Sequence, residues 1–140
     1  VAGCDHCCKD CQNPITWDPN GGLEFDDEAK AELFEALHHD YISGITFSGG
    51  DPLFYGNREA VTGLAKEIKE QFPEKTIWLY TGFTYETIET LPIMEYVDVL
   101  VDGEFIVEQK DTSLYWRGSS NQRVIDVRNT RKNQIVLHCK

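Results

Sequence analysis

Apolar positions along the chain fall into two spacings. In one stretch Ala29, Leu33 and Leu37 repeat every four residues with Phe34 and Ala36 beside them, which predicts a helix capped by Asp26 or Asp27 and running to about His39. In another, Val61, Leu64, Ala65 and Ile68 form an apolar stripe after a possible Asn57 cap, with Pro73 just past the end, and predict a second helix. Between and beyond these lie short runs rich in β-branched and aromatic residues. Residues 42–47, 76–81 and 97–101 read as strands, each followed by a break at Ser48-Gly49-Gly50, Gly82 or Asp102-Gly103. Residues 84–91 read as a short helix before Pro92, and residues 123–127 and 134–138 as further strands. The order strand–helix–strand–helix–strand predicts an α/β protein with a mostly parallel sheet. Ligands then belong at the carboxyl ends of the strands, where Ser48–Pro52, Thr81-Gly82 and Asp102-Gly103 fall.

Length and charge narrow this picture. The 140 residues suit one domain, residues 1–140, with one core. No run approaches the ~18 apolar residues of a membrane span, and no signal peptide is visible, so no membrane partner is expected. A formal net charge of −11 argues against nucleic acid, which selects a positive footprint.

The cysteines change the picture most. Of five, Cys4, Cys7, Cys8 and Cys11 are crowded near one end, with Cys139 near the other. Such crowding points to metal in a reducing compartment, hence the cytoplasm, rather than to a disulfide framework. In Cys4-x3-Cys8-x2-Cys11, three soft thiolates on one tight loop suit three corners of a [4Fe–4S] cube and leave the fourth iron open for substrate. Zinc is the rival, with Cys7 and His6 as candidate extra ligands. Adjacent Cys7 and Cys8 rarely share a metal, however, and zinc sites usually come as two separated pairs, so the spacing favours iron and sulfur.

Three other segments are candidates for binding. Ser48-Gly49-Gly50-Asp51-Pro52 follows a buried strand, and its glycines allow close backbone approach to an amino or carboxylate group; a plain turn is the competing reading. Asp102, at a strand end, could meet a ribose hydroxyl or a cation, or serve only as a turn residue. The polar stretch from Tyr115 to Arg123 could contact a ligand or a partner, or be a simple loop. His38-His39 and the three tryptophans, Trp17, Trp78 and Trp116, read as a helix end and as packing anchors.

The cysteine motif resembles that of the radical S-adenosylmethionine superfamily. Together, GCDHCCKDCQNPITWDPNGG, TFSGGDPL, IWLYTGFTYE, DVLVDGEF and SLYWRGSSNQR resemble, in order, the activating proteins of anaerobic ribonucleoside-triphosphate reductase, covering most of the chain from Gly3 to Arg123. The resemblance implies a small partial (β/α) barrel in which Cys4, Cys8 and Cys11 hold three irons and S-adenosylmethionine chelates the fourth. It implies that Ser48, Gly49, Gly50 and Asp51 receive the methionine amino group, that Asp10 and Gln12 lie against the cofactor, and that Thr81 and Asp102 approach its ribose or a nearby cation. The implied partners are the large glycyl-radical reductase subunit, as protein substrate, and a flavodoxin-like or other low-potential electron donor.

The sequence departs from the family pattern in places. The family has an N-terminal strand ahead of the cysteines, where this chain has three residues, so that strand is expected to be missing. Asp10 stands where the superfamily often has an aromatic residue and this family often glycine; Gln12 stands where the family often has an aromatic. Competing functions are another glycyl-radical activase, such as that of pyruvate formate-lyase, and a non-catalytic metal or electron-transfer module.

Overall fold

The computed structural model describes residue 6 and residues 25–48, 51–114, 116–130 and 135–137. Helix α1, Asp27–Leu37, begins where Asp26 accepts the Ala29 amide at 2.9 Å, with Asp27 and Glu28 placed favourably in the first turn. Strand β1, Gly44–Phe47, leads to helix α2, Arg58–Gln71, then to β2, Thr76–Tyr80, the short helix α3, Tyr85–Ile88, and β3, Val99–Asp102. Strand β4, Arg123–Asp126, completes an α/β sheet of order β1-β2-β3-β4. The first three strands run parallel, and β4 returns antiparallel to β3. The expected mostly parallel open sheet is therefore observed.

The period of two along the strands sorts the core. Ile77 and Leu79 point with Phe47, Leu100 and Ile125 to one face, where Val61, Ala65 and Ile68 of α2 and Leu37 of α1 close over them. The alternate positions, Val99, Val101 and Val124, form a smaller cluster on the other face with Trp78 and Tyr80. A monotonic order of parallel strands with right-handed crossovers puts the intervening helices on one face, in keeping with this division.

Several local expectations shift. Asn57 occupies the cap of α2 but makes no side-chain cap bond. Its amide instead donates to the Asp51 carbonyl at 3.2 Å. The helix read over residues 84–91 is only the single turn of α3, because Pro92 starts a separate 3₁₀ turn, Pro92–Glu95. Of the strand read over residues 134–138, the described part shows one bridge, Ile125 to Leu137.

The amino edge of the sheet is held by buried charge. Asp98 is buried and accepts the Ile77 amide and the Lys69 ammonium, both at 2.7 Å, and pairs with Arg128. Lys75, also buried, donates to the carbonyls of His39 and Ile42, which end α1 and lead into β1. Among the described residues no helix is long and apolar enough to cross a membrane.

Candidate functional site

The carboxyl ends of β1, β2 and β3 meet around Asp51. This residue follows β1, is 1 % exposed, and has a carboxylate surrounded by donors. The Leu53 amide reaches Oδ1 at 2.9 Å, a local turn favoured by Asp before Pro. The Thr81 hydroxyl, one residue past β2, donates at 2.8 Å to Oδ1 and 3.0 Å to Oδ2. The Gly82 amide donates to Oδ2 at 2.9 Å, and His6 Nε2 at 2.7 Å. A carboxylate has about four acceptor positions. Four donor groups fill them here. Two residues singled out from the sequence, Asp51 and Thr81, are thus in direct contact.

His6 stands between two acids, with Nδ1 2.8 Å from Glu104 and Nε2 on Asp51. Both ring nitrogens face carboxylates, so both donate and the ring is an imidazolium. Its pKa is raised to about 9, first by the hydrogen bond to Asp51, against the opposing effect of burial, and then by Glu104. The ring meets Phe83 edge-on, with centroids 4.7 Å apart at 72°. Phe83 is in turn covered by the Arg58 guanidinium at 5.2 Å. Gly82 is required at this point, since a Cβ there would come within 2.5 Å of the imidazole.

Asp102 closes β3 and is also 1 % exposed. It accepts the Tyr85 amide at 2.8 Å and the Arg123 backbone amide at 3.2 Å, and it pairs with the Arg123 guanidinium. Arg123 also bridges to Glu86 at 2.6 Å, which holds that carboxyl below its ordinary value. The Arg123 pKa is raised, chiefly by Asp102. A cleft of about 840 Å³ is lined by His6, Gly82, Phe83, Asp102, Glu104 and Arg123, among others. That volume is ample for a nucleoside-sized ligand.

The polar stretch before β4 forms one wall of this region. Gln122 accepts the Gly118 and Ser119 amides and donates to the Gly103 carbonyl at 2.9 Å. The Asn121 amide donates to the Glu104 carbonyl at 2.8 Å. This stretch therefore braces the turn that presents Glu104 to His6. Trp116 has φ of 71°, uncommon for a bulky residue, and lies half exposed with its ring edge on Trp78 at 5.2 Å.

Ser48 is exposed just past β1. Cys4, Cys8 and Cys11, together with Asp10, Gln12, Gly49, Gly50, Cys7, Cys139 and Trp17, lie outside the described residues. Among the described residues no cluster of three or more His, Cys, Asp or Glu side chains suits a metal ion. His6, the residue named as a possible extra zinc ligand, has both nitrogens engaged by acids. Cys4, Cys8 and Cys11 are thiolates, a donor type whose chemistry suits an iron–sulfur cluster. Sequence reasoning missed the roles of His6, Glu104 and Arg123. The one available signal was a histidine lying between the cysteines.

The family model for a 4Fe-4S single cluster domain matches residues 1–125. An anaerobic ribonucleoside-triphosphate reductase-activating protein of Enterobacteria phage T4 is 44 % identical over 124 residues, 89 % of this chain and 79 % of the relative. The protein of the same name from Haemophilus influenzae is 40 % identical over 126 residues, covering 87 % and 81 %. That from Escherichia coli K12 is 38 % identical over 132 residues, covering 91 % and 86 %. No solved structure is a significant match. With this identity over most of both chains, and with His6, which stands between the cysteines in sequence, seated at the carboxyl edge of a parallel sheet, the chain belongs to the family of anaerobic ribonucleoside-triphosphate reductase-activating proteins, built on a 4Fe-4S single cluster domain.

Proposed function

We propose that the chain is an iron–sulfur activating enzyme that uses S-adenosylmethionine to install a glycyl radical on the large subunit of an anaerobic ribonucleoside-triphosphate reductase. The observation that carries this reading is the seating of His6, from between the cysteines, on the ends of three strands beside a cleft of nucleoside size. Cys4, Cys8 and Cys11 are the residues that would hold the cluster. When bound, the cluster and S-adenosylmethionine would supply one-electron reductive chemistry, the electron coming from the external donor and being spent on the sulfonium bond, that ends in removal of a hydrogen atom from a glycine of the reductase.

The chain's own residues bind, orient and exclude water. The Asp51 and Asp102 carboxylates already hold protein donors, so their part is to keep the cleft floor in shape. Direct contacts to the methionine end then fall to Ser48, Gly49 and Gly50, with Asp10 and Gln12 beside the third cysteine, while the Thr81 hydroxyl, held by Asp51 and the Phe83 amide, joins the two acids in supporting the floor. The four-stranded sheet is open at both ends among the described strands; an open side of this kind supports reading it as part of a partial (β/α) barrel that receives a glycine-bearing loop of the partner. The electron donor is a flavodoxin-like or other low-potential protein, and the setting the reducing cytoplasm. Residues 1–140 act as one domain.

Anaerobic reconstitution with iron and sulfide, followed by reductant and S-adenosylmethionine, should release 5′-deoxyadenosine. Adding the reductase subunit should give a glycyl radical by electron paramagnetic resonance. An intact cluster with no cleavage refutes the reading. Replacing Cys4, Cys8 or Cys11 with Ala should abolish both cluster and cleavage, whereas Cys7→Ala and Cys139→Ala should abolish neither.

A further inference from the structure

His6 contacts four residues, and all fall on the carboxyl edge of the sheet. Its nitrogens reach Asp51 after β1 at 2.7 Å and Glu104 after β3 at 2.8 Å. Its ring stands edge-on to Phe83 after β2 and lies over Gly82, where a Cβ would approach Cδ2 to 2.5 Å. Its side chain is 9 % exposed. Cys4 and Cys8 each stand two residues from it, so chain connectivity keeps their Cα atoms within about 7 Å of its own. Imidazole suits this place because it presents two donors in divergent directions from a flat ring that slides over a glycine. An ammonium or a side-chain amide has donors enough for both acids, but neither presents a flat ring that fills the space against Phe83.

We propose that His6 is a positioning residue that docks the cysteine loop on the ends of β1, β2 and β3, and so sets where the cluster stands relative to the cofactor cleft. The proposal rests on the function argued above. It names a residue outside the thiolate set, acting through Asp51, Glu104, Gly82 and Phe83 rather than by touching the cluster.

The test begins with cluster-free protein, so that it reads the dock independently of turnover. Iodoacetamide alkylation of the loop cysteines, followed by mass spectrometry with Cys139 as internal reference, should be about tenfold faster in His6→Ala, since the loop loses its anchor. Gly82→Ala should speed alkylation as well, by displacing the ring. The double variant should react no faster than His6→Ala alone, because the added methyl then meets empty space. Unchanged rates in His6→Ala, or additive effects of the two substitutions, overturn the proposal. Should His6→Ala fail to fold, the half-exposed Glu104 reads the same dock: Glu104→Ala should alkylate faster than Glu104→Gln, which keeps an acceptor, and equal rates overturn it.

In reconstituted protein, His6→Ala should retain near-parental iron content, the three thiolates being intact. It should lose most of the change that S-adenosylmethionine makes in the reduced cluster's paramagnetic spectrum, and its KM for S-adenosylmethionine should rise more than its kcat falls. A spectrum and KM equal to the parent's count against the proposal. If the parent cleaves no S-adenosylmethionine, the proposed function fails while the alkylation series still judges His6.

Discussion

Removing the Asp51 carboxylate should unfold a large part of the stability margin. The group is 1 % exposed, so water cannot replace it as acceptor for the amides of Leu53 and Gly82, the Thr81 hydroxyl and the His6 imidazolium. Hydrogen bonds to a charged group contribute about 1.5–3 kcal/mol each, but these four share one acceptor and do not add. The better measure is the cost of leaving one partner of a buried ion pair uncompensated, about 3–5 kcal/mol, and that is the expected loss for Asp51→Ala. Against a usual total of 5–15 kcal/mol, it approaches half the margin of many domains. Asp51→Asn keeps one acceptor oxygen for Leu53 and Thr81 but turns an NH₂ toward the Gly82 amide and His6 Nε2; a neutral His6 protonated at Nδ1 can accept that NH₂, whereas the Gly82 amide is left unpaired at about 1–3 kcal/mol. The order parent, Asn, Ala should appear in urea unfolding of cluster-free protein followed by tryptophan fluorescence, with m unchanged. An Asp51→Ala variant within about 0.5 kcal/mol of the parent, as for a surface substitution, would refute the assigned network.

Other consequences follow from the same geometry. Gly44→Ala would put a Cβ 2.0 Å from the Thr76 carbonyl oxygen where β1 and β2 approach, so it should lower the thermal midpoint sharply or prevent soluble expression; a parental midpoint would show that the strands part easily. Leu100→Ala, at a fully buried centre of the sheet, should cost about 2–5 kcal/mol in the same urea titration. Glu86 is held below its ordinary pKa by Arg123, so its pairing stabilises the fold above the unfolded value of 4.5 and is lost as pH falls through the lower folded value. The stability gap between the parent and Glu86→Gln should accordingly close below pH 4.5, and a gap that widens with acid would reverse the sign.

Local periodicity carried most of the fold. The stripe of Val61, Ala65 and Ile68 is buried, and Asp26 caps α1 as its residue type suggests. β1 and β2 fall within the apolar runs, because a buried parallel strand needs such a run on both faces, and β3 overlaps its run but continues one residue past it to Asp102. Failures came where tertiary contacts outweighed local preference. Asn57 serves the Asp51 carbonyl rather than its own helix, and Val97 is buried before β3 begins at Val99. The site was half legible. Asp51, Thr81 and Asp102 stood out because parallel topology places strand ends together. The pairing of His6 with Asp51 and with Glu104 spans 45 and 98 residues and leaves no periodic trace.

The two buried acids at the carboxyl edge are neutralised from different sources, and this gives the cleft two unlike ends. Asp102 is paired by Arg123, which belongs to the sheet itself through β4 and is braced again by Glu86. That end is complete once the strands have paired. Asp51 draws its cation from His6, on the cysteine loop, so the other end is complete only when the loop is docked. The buried acid on the amino edge follows the Asp102 pattern, since Asp98 is paired by Lys69 and Arg128 from the fold's own elements. A buried carboxylate left without its cation is costly. Folding of the sheet therefore creates, at the end of β1, a demand that the cysteine loop satisfies. On the proposal made for His6, the charge that stabilises the domain and the contact that anchors the cysteine segment are the same ion pair.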